Sequence, residues 1–415
     1  MTDPDPIDPA WLETVLVAAR PQALAALVRY FRDLDVAEEA FQNACLRALQ
    51  RWPVQGPPRS PVAWLILVAR NAAIDDRRRT HARSALPDDE LLVDPRAMRD
   101  LAAELDDAGY RDDVLRLLFV CCHPELPATQ QIALALRIVC GLSVPQIARA
   151  FLVAETAIEQ RITRAKQRIA RADVPFEAPD RDERARRLST VAAMVYLIFN
   201  EGYTAGREDA ERGGLAVQAI RLARLLVRLF PDEAETLGLA ALLLLQHARS
   251  PARFDRDGNA VLLEDQDRSR WDHVAIAEGL GFLERALRLG APGPYQLQAA
   301  IAAAHARAAR AVDTDWAQIE QLYAALEQLQ PSPVIALNRA VVIAKLRGPR
   351  AALAAMTPLA DALDGYFYFH GVRGMLLAQL GRPAEARRAF DRAIGLASTV
   401  AEATHIRMQL DRLAR

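Results

Sequence analysis

Between Glu155 and Ile169, Thr156, Gln160, Thr163 and Gln167 recur at intervals of four, three and four, with Arg164 beside them and Arg161 and Arg168 flanking. On a helix this spacing gathers short hydrogen-bonding side chains on one face and frames them with cations. Such groups suit base edges in a major groove, and the guanidiniums suit phosphates. A second set lies upstream in AWLILVARNAAIDDRRR, residues 63–79, which begins apolar and ends basic. Arg70, Arg77, Arg78 and Arg79 are placed to neutralise backbone phosphates, and Asn71 to touch an unstacked base.

Both sets need helices to present them. SVPQIARAF (143–151) predicts a first helix capped by Ser143, LVA turns the chain, and ETAIEQRITRAKQRI (155–169) predicts a second. Ile158, Ile162, Ala165 and Ile169 form the buried stripe of that second helix, completing a helix-turn-helix pattern. The upstream set sits on a helix that Ser60 caps and Pro61 opens, with Trp64, Leu65, Val68 and Ala72 on its buried face. A loop over residues 53–61 precedes it. Before that, LVRYFRDLDVAEEAFQNACLRALQRW predicts two helices broken near Asp33–Asp35.

The net charge of the chain is −1, so no nucleic-acid footprint shows in the total. It shows in the distribution. Residues 137–171 carry seven cations against two acids, a net +5, and residues 70–83 five arginines against two acids, a net +3. Between them, residues 84–113 hold ten acids against three arginines, a net −7. This acidic stretch reads as a linker. No apolar run is long enough to span a bilayer, and the start MTDPDPIDPAW is not a signal peptide, so no membrane association and a cytoplasmic location are expected. Cys45, Cys121, Cys122 and Cys140 form no CxxC pair and read as buried thiols of a reducing compartment.

The C-terminal half repeats itself. LNRAVVIAKLRGPRAALAAM (337–356) and GVRGMLLAQLGRPAEARRAF (371–390) share their spacing, with Gly348 and Gly381 at the turns and Ala352 and Ala386 at the crossings. A period of about 34 residues, built as helix, turn, helix, is the tetratricopeptide pattern. One interruption stands out: RFDRDGNAVLL (253–263) predicts a hairpin turn at Asp257–Gly258.

No catalytic set, metal site or cofactor is expected. The adjacent Cys121 and Cys122 with His123 lack the gap that lets two thiolates close on one zinc. DRDGNAVLLE (255–264) imitates a calcium loop, but its glycine is misplaced and Gln266 stands where a bidentate acid belongs. FNEGY (199–203) has no base–nucleophile pair or phosphate loop beside it.

Read together, DLDVAEEAFQNACLRALQRWP (33–53), PVAWLILVARNAAIDDRRR (61–79) and the helix-turn-helix resemble bacterial sigma factors of the extracytoplasmic-function group. Ala72 stands where that group often has arginine. RLLFVCCHPEL, IARAFLVAE, YLIFNEGY, LLEDQDRSRWD, GPYQLQAAIAAAHA and SPVIALNRAV resemble the subgroup with a long helical extension. The resemblance implies an all-α chain. Residues 1–82 would be sigma region 2, 83–110 the acidic linker, 111–175 region 4, and 180–415 a tetratricopeptide-like solenoid. Its implied partners are core RNA polymerase, met by Asp35, Glu38, Glu39, Gln42 and Asn43, and promoter DNA. The downstream element falls to Arg70, Asn71, Arg77, Arg78 and Arg79, with the 53–61 loop receiving a flipped base. The upstream element falls to Thr156, Gln160, Arg161, Thr163, Arg164, Gln167 and Arg168. The acidic linker would lie in the path of the nascent transcript. The resemblance places control in the extension, through intramolecular contact with the sigma domains. The alternative is a helix-turn-helix regulator on a repeat scaffold that never joins polymerase.

Overall fold

The structure, a computed structural model, describes residues 9–81, 96, 101, 108–123, 125–151, 153–171, 181–203, 210–256, 258, 261–397 and 400–413. Most of the expected acidic linker, and with it that reading, lies outside these residues. Every extended element among the described residues is a helix, so the all-α expectation holds. The chain divides into two compact units, Met1–Ile198 and Phe199–Arg415.

In the first unit, α1 (Pro9–Phe31) and α2 (Leu34–Gln55) meet at the expected break. Arg32 adopts a left-handed φ of 54°, and the Asp33 carboxylate accepts the N–H groups of Asp35 and Val36 at 2.8 and 3.1 Å. That satisfies two donors which the helix start leaves open. Ala37, Ala40, Phe41, Ala44, Ala48 and Trp52 give α2 one buried stripe. Helix α3 (Pro61–His81) starts at the expected proline, and Trp64 packs edge-on against Trp52 at 5.4 Å. The expected 53–61 loop is shorter than its composition suggests. Helix α2 runs through Pro53 to Gln55, because a proline in the last turn forfeits a single hydrogen bond.

Helices α4 (Ala108–Cys121), α5 (Ala128–Ile138), α6 (Val144–Ala150) and α7 (Glu155–Arg171) form the second helical group of this unit. Ser143 caps α6 as expected, and Gln146 completes a reciprocal capping box: its side chain accepts the Ser143 N–H at 2.8 Å. Helix α8 (Arg181–Tyr203) follows and carries the unit boundary.

The second unit continues with α9 (Ala210–Leu229), α10 (Ala234–His247), α11 (His273–Arg288) and α12 (Pro294–Arg307). Helix α10 is buried on every side from Thr236 to Leu245, which makes it the central rod of its neighbourhood. Its Glu235 accepts the N–H groups of Tyr295 and Gln296 at 3.0 and 3.2 Å, a carboxylate set on the positive end of α12. Among the described residues no helix is long and apolar enough to cross a membrane. Of the hairpin expected at 253–263, Asp257 and residues 259–260 lie outside the described residues; among the described ones the Val261 N–H donates to the Arg253 carbonyl at 2.8 Å, and Gly258 has a φ of 82°.

Beyond α13 (Trp316–Leu329) the repeat becomes explicit: α14 (Pro333–Arg347) with α15 (Pro349–Met356), then α16 (Phe367–Gln379) with α17 (Pro383–Leu396), then α18 (Val400–Leu413). Gly348 and Gly381 turn the chain at φ +83° and +68°, which L side chains rarely adopt, and Ala352 and Ala386 are fully buried at the crossings. Successive cores link neighbours only. Ile301, Ile319 and Val342 join α12, α13 and α14; Leu337, Ala352 and Leu376 join α14, α15 and α16; Leu377, Phe390 and Ile406 join α16, α17 and α18. Stability in such an array is passed along the chain.

Gly374 on α16 shows how tight this packing is. A Cβ there would lie 2.5 Å from the ring of Phe390, itself buried. Gly374→Ala is expected to destabilise the second unit by about 1–3 kcal/mol through overpacking, despite the better helix propensity of alanine. Denaturant unfolding checks this, and an unchanged or raised midpoint contradicts it.

Candidate nucleic-acid interface

The polar face of α7 is built from its opposite side. Ile158, Ile162 and Ala165 are buried, so the helix is clamped along that stripe and cannot roll. The geometry leaves Thr156, Gln160, Thr163, Arg164, Gln167 and Arg168 exposed, with Arg161 half-buried at the edge. Arg168 donates to the carbonyl of Glu125 at 3.2 Å, which steadies its guanidinium beside the 121–126 turn. All seven residues singled out from the spacing therefore share one helix, and six are open to solvent.

The arginines of α3 divide. Arg70 is half-buried, its guanidinium 4.6 Å from the ring centre of Tyr30, which is 49% exposed. Asn71 is half-buried beside it. Arg77, Arg78 and Arg79 continue the helix, but their side chains lie outside the described residues. Periodicity did not single out Tyr30. An aromatic residue on an arginine-bearing surface is the signal that would have found it.

The acidic residues of α2 also divide. Glu39, Gln42 and Asn43 are exposed, and the same face carries Leu46 and Leu49, which are 58% and 48% exposed. Large apolar side chains held in water beside polar ones mark a contact surface. Sequence reasoning did not single out either leucine. Glu38 has the opposite fate: it is buried, and three cations converge on it. Arg137 Nε lies 3.0 Å from its Oε1, Arg20 Nη2 3.4 Å from the same oxygen, and Lys166 Nζ 3.1 Å from its Oε2. Lys166 reaches on to Asp35 Oδ1 at 2.5 Å. Arg20 also donates to the carbonyls of Ile138 and Arg137 at 2.9 and 3.2 Å. A second tie, Arg29 to Asp113 at 3.0 Å, joins α1 to α4.

Burial opposes the Lys166 charge, but the hydrogen bond it donates to Asp35 and the charge of Glu38 outweigh it and hold its pKa above the usual lysine value. Two of the seven cations counted toward the +5 island, Arg137 and Lys166, are thus neutralised internally.

Residues 16–83 match the model of sigma-70 region 2, and residues 116–169 match that of sigma-70 region 4. The chain is an RNA polymerase sigma factor. Residues 187–287 of this sigma factor match a family of unknown function, DUF6596. Over 98% of the chain, and 97% of the relative, it is 62% identical to an uncharacterized protein of Rhizobium meliloti (strain 1021) and belongs to one family with it. The sigma factor directs promoter-specific transcription, binding core polymerase and promoter DNA. Its Glu38 cluster therefore ties region 2, through α2, to region 4, through α5 and α7.

Three of the four cysteines of the sigma factor are poorly suited to thiolate chemistry. Burial pushes the Cys45 thiol up to about 11, and the enclosed Cys121 and Cys122 higher still. Among the described residues no group of three His, Cys, Asp or Glu could hold a metal ion.

Removing one partner from a buried ion cluster leaves the others uncompensated, so Glu38→Gln is expected to destabilise the first unit by about 3 kcal/mol. Lys166 has a raised folded pKa. Its stabilisation is intact below its ordinary value of 10.5 and fades as pH climbs through the higher folded value. Wild type should therefore lose more stability between neutral and strongly alkaline pH than Lys166→Met does. Equal alkaline losses in urea titrations would contradict the cluster's role.

Proposed function

We propose that this sigma factor belongs to the extracytoplasmic-function group and that its second unit is a tetratricopeptide-like extension controlling its activity. Residues 1–82 act as region 2, 83–110 as the linker, 111–175 as region 4 and 180–415 as the extension. The observation that carries promoter reading is the exposed face of α7, polar at its centre and cationic at its edges, opposite a buried apolar stripe. Gln160, Thr156, Thr163 and Gln167 read base edges of the upstream element, while Arg161, Arg164 and Arg168 hold phosphates. Arg70, Asn71, Arg77, Arg78 and Arg79 serve the downstream element as the duplex opens. Tyr30 joins them as a stacking platform.

Polymerase docks on α2 at Glu39, Gln42 and Asn43, with Leu46 and Leu49 as apolar anchors. Asp35 and Glu38 complete that surface once Lys166 releases them. The described arrangement of the first unit is accordingly a closed form. Joining polymerase exchanges the Lys166 contacts for contacts with the clamp and frees α7 to reach DNA. Glu39, Gln42, Asn43, Leu46 and Leu49 remain open in the closed form, so encounter precedes opening.

Promoter-dependent transcription by core polymerase, with and without the full chain, tests the reading. Discrete transcripts are expected only with it. Gln160→Ala should shift the preferred upstream element, at about 1–3 kcal/mol for a lost base contact. Arg168→Ala should weaken all promoters alike and flatten the salt dependence. Leu46→Asp with Leu49→Asp should weaken association with core polymerase at least about tenfold while leaving the fold intact. Specific DNA binding without any complex with core polymerase would instead favour a regulator that never joins it.

A further inference from the structure

The second unit contains a half-open cavity of about 530 Å³. That is the size of a pocket for a small organic ligand. Its walls are mainly apolar, with Trp316, Val341, Phe367 and Met375 among them. Two arginines, Arg253 and Arg268, line it as well, together with His305.

The electrostatics of the arginine end are unusual. Arg253 lies 3.7 Å from the ring centre of Tyr203 and donates to that residue's carbonyl. Arg268 donates to the carbonyls of His305 and Ala308 at 2.5 and 2.7 Å and to Thr314 Oγ1 at 3.3 Å. Arg249, behind them, donates to the Tyr203 hydroxyl at 2.8 Å. Among the described residues, none of the three forms an ion pair. The nearby carboxylates have other partners: Glu264 holds Lys345 at 2.5 Å, Glu402, which also lines the cavity, accepts the Tyr368 hydroxyl at 3.3 Å, and Asp313, whose charge is felt at Arg268, holds Arg310 through two contacts of 2.8 Å. Burial, and then the charge of Arg249, lowers the pKa of both Arg253 and Arg268. Burial and the charges of Arg249 and Arg268 bring His305 down to about 4, so it is neutral at physiological pH. Two buried polar atoms here, Arg268 Nε and His305 Nδ1, have no hydrogen-bond partner among the described residues. Unpaired buried polar atoms and part-buried cations without an ion-pair partner are costly, and their persistence calls for a partner.

We propose that this cavity binds an amphipathic organic anion, a carboxylate or phosphate monoester on an unbranched apolar body. Its head sits at Arg253 and Arg268, and its tail lies along Trp316, Val341 and Met375. The negative head supplies the charge the arginines lack, and the tail removes apolar wall from water. Aromatic and carbonyl partners hold the arginines in place without neutralising them, so the head group meets preorganised donors. The inference concerns binding alone and stands or falls independently of promoter recognition.

The test uses the full chain with anilinonaphthalene sulfonate, itself an apolar anion, as a fluorescent reporter. Dodecanoate and dodecyl phosphate compete in separate arms, which distinguishes the head groups, and dodecanol serves as the uncharged control. The expected result is one saturable site from which at least one of the anions displaces the reporter about tenfold more effectively than dodecanol. Arg253→Gln should remove that anion preference and leave dodecanol unchanged. Because Arg253 also braces Tyr203, a second variant guards against misfolding. Gly371 lines the cavity on α16, and a Cβ there would meet only Ile406 Cδ1, at 3.4 Å. Gly371→Leu should therefore fold, with improved helix propensity, yet block both reporter and anion by filling the cavity. Equal binding of dodecanol and both anions, unchanged binding in Gly371→Leu, or no saturable binding at all would each overturn the proposal.

Discussion

One buried carboxylate organises the first unit. Glu38 sits at the meeting point of α1, α2, α5 and α7, and a guanidinium or ammonium from each of the other three helices reaches it. A lone carboxylate in that position would be desolvated at a cost of several kcal/mol, and so would each cation. Together they compensate one another, and Arg20 bridges further to the last carbonyls of α5. The geometry is directional: move α7 away and Lys166 loses both of its carboxylate partners, Asp35 and Glu38. Hydrophobic packing alone would let α2 and α7 slide. The ion cluster gives them a defined register, because a charge pair loses its hydrogen bonds over a displacement that an apolar contact tolerates.

Much of this architecture was legible in the sequence, wherever the physics is local. The α1–α2 break follows from Asp33 as a cap, α3 from Pro61, and the helix-turn-helix from Ser143 and the Ile158–Ile162–Ala165 stripe. The turn glycines Gly348 and Gly381 announced the repeat because their backbone conformation is a property of single residues. Long-range contacts were not legible. Glu38 belongs to the same acidic run as Glu39, and nothing in that run says that one is buried and the other exposed. Lys166 reads as one more cation on a basic helix, yet its position in the helical turn points it toward Asp35 and Glu38 and away from the exposed face of Gln160, Thr163 and Gln167. Leu46 and Leu49 look like core by composition, and only the packed α2 shows that the stripe through Ala44 and Ala48 leaves them in water.

The second unit answers to a different rule. From α12 to α18 its cores form a relay in which each helix packs on those near it in sequence, while the earlier helices gather around the buried α10. The arginines of the 249–268 stretch interrupt that regularity. Arg249, Arg253 and Arg268 are held by carbonyls, a phenol and a hydroxyl instead of carboxylates, and the last two border an apolar hollow. The motif LLEDQDRSRWD, conspicuous for its charge density, is the part of the chain that delivers Glu264 and Arg268 to this hollow.

The chain contains two lysines, Lys166 and Lys345, and each is gripped by a carboxylate within its own unit. An ammonium so held is a poor nucleophile, because acylation requires both a free lone pair and a line of approach. Opening the Lys166 bridge exposes one primary amine in the first unit, and parting Lys345 from Glu264 exposes one in the second. The molecule thus carries one lysine side chain per unit, each paired with a carboxylate of that same unit. Acyl transfer at either position would erase the cation and, with it, the pair.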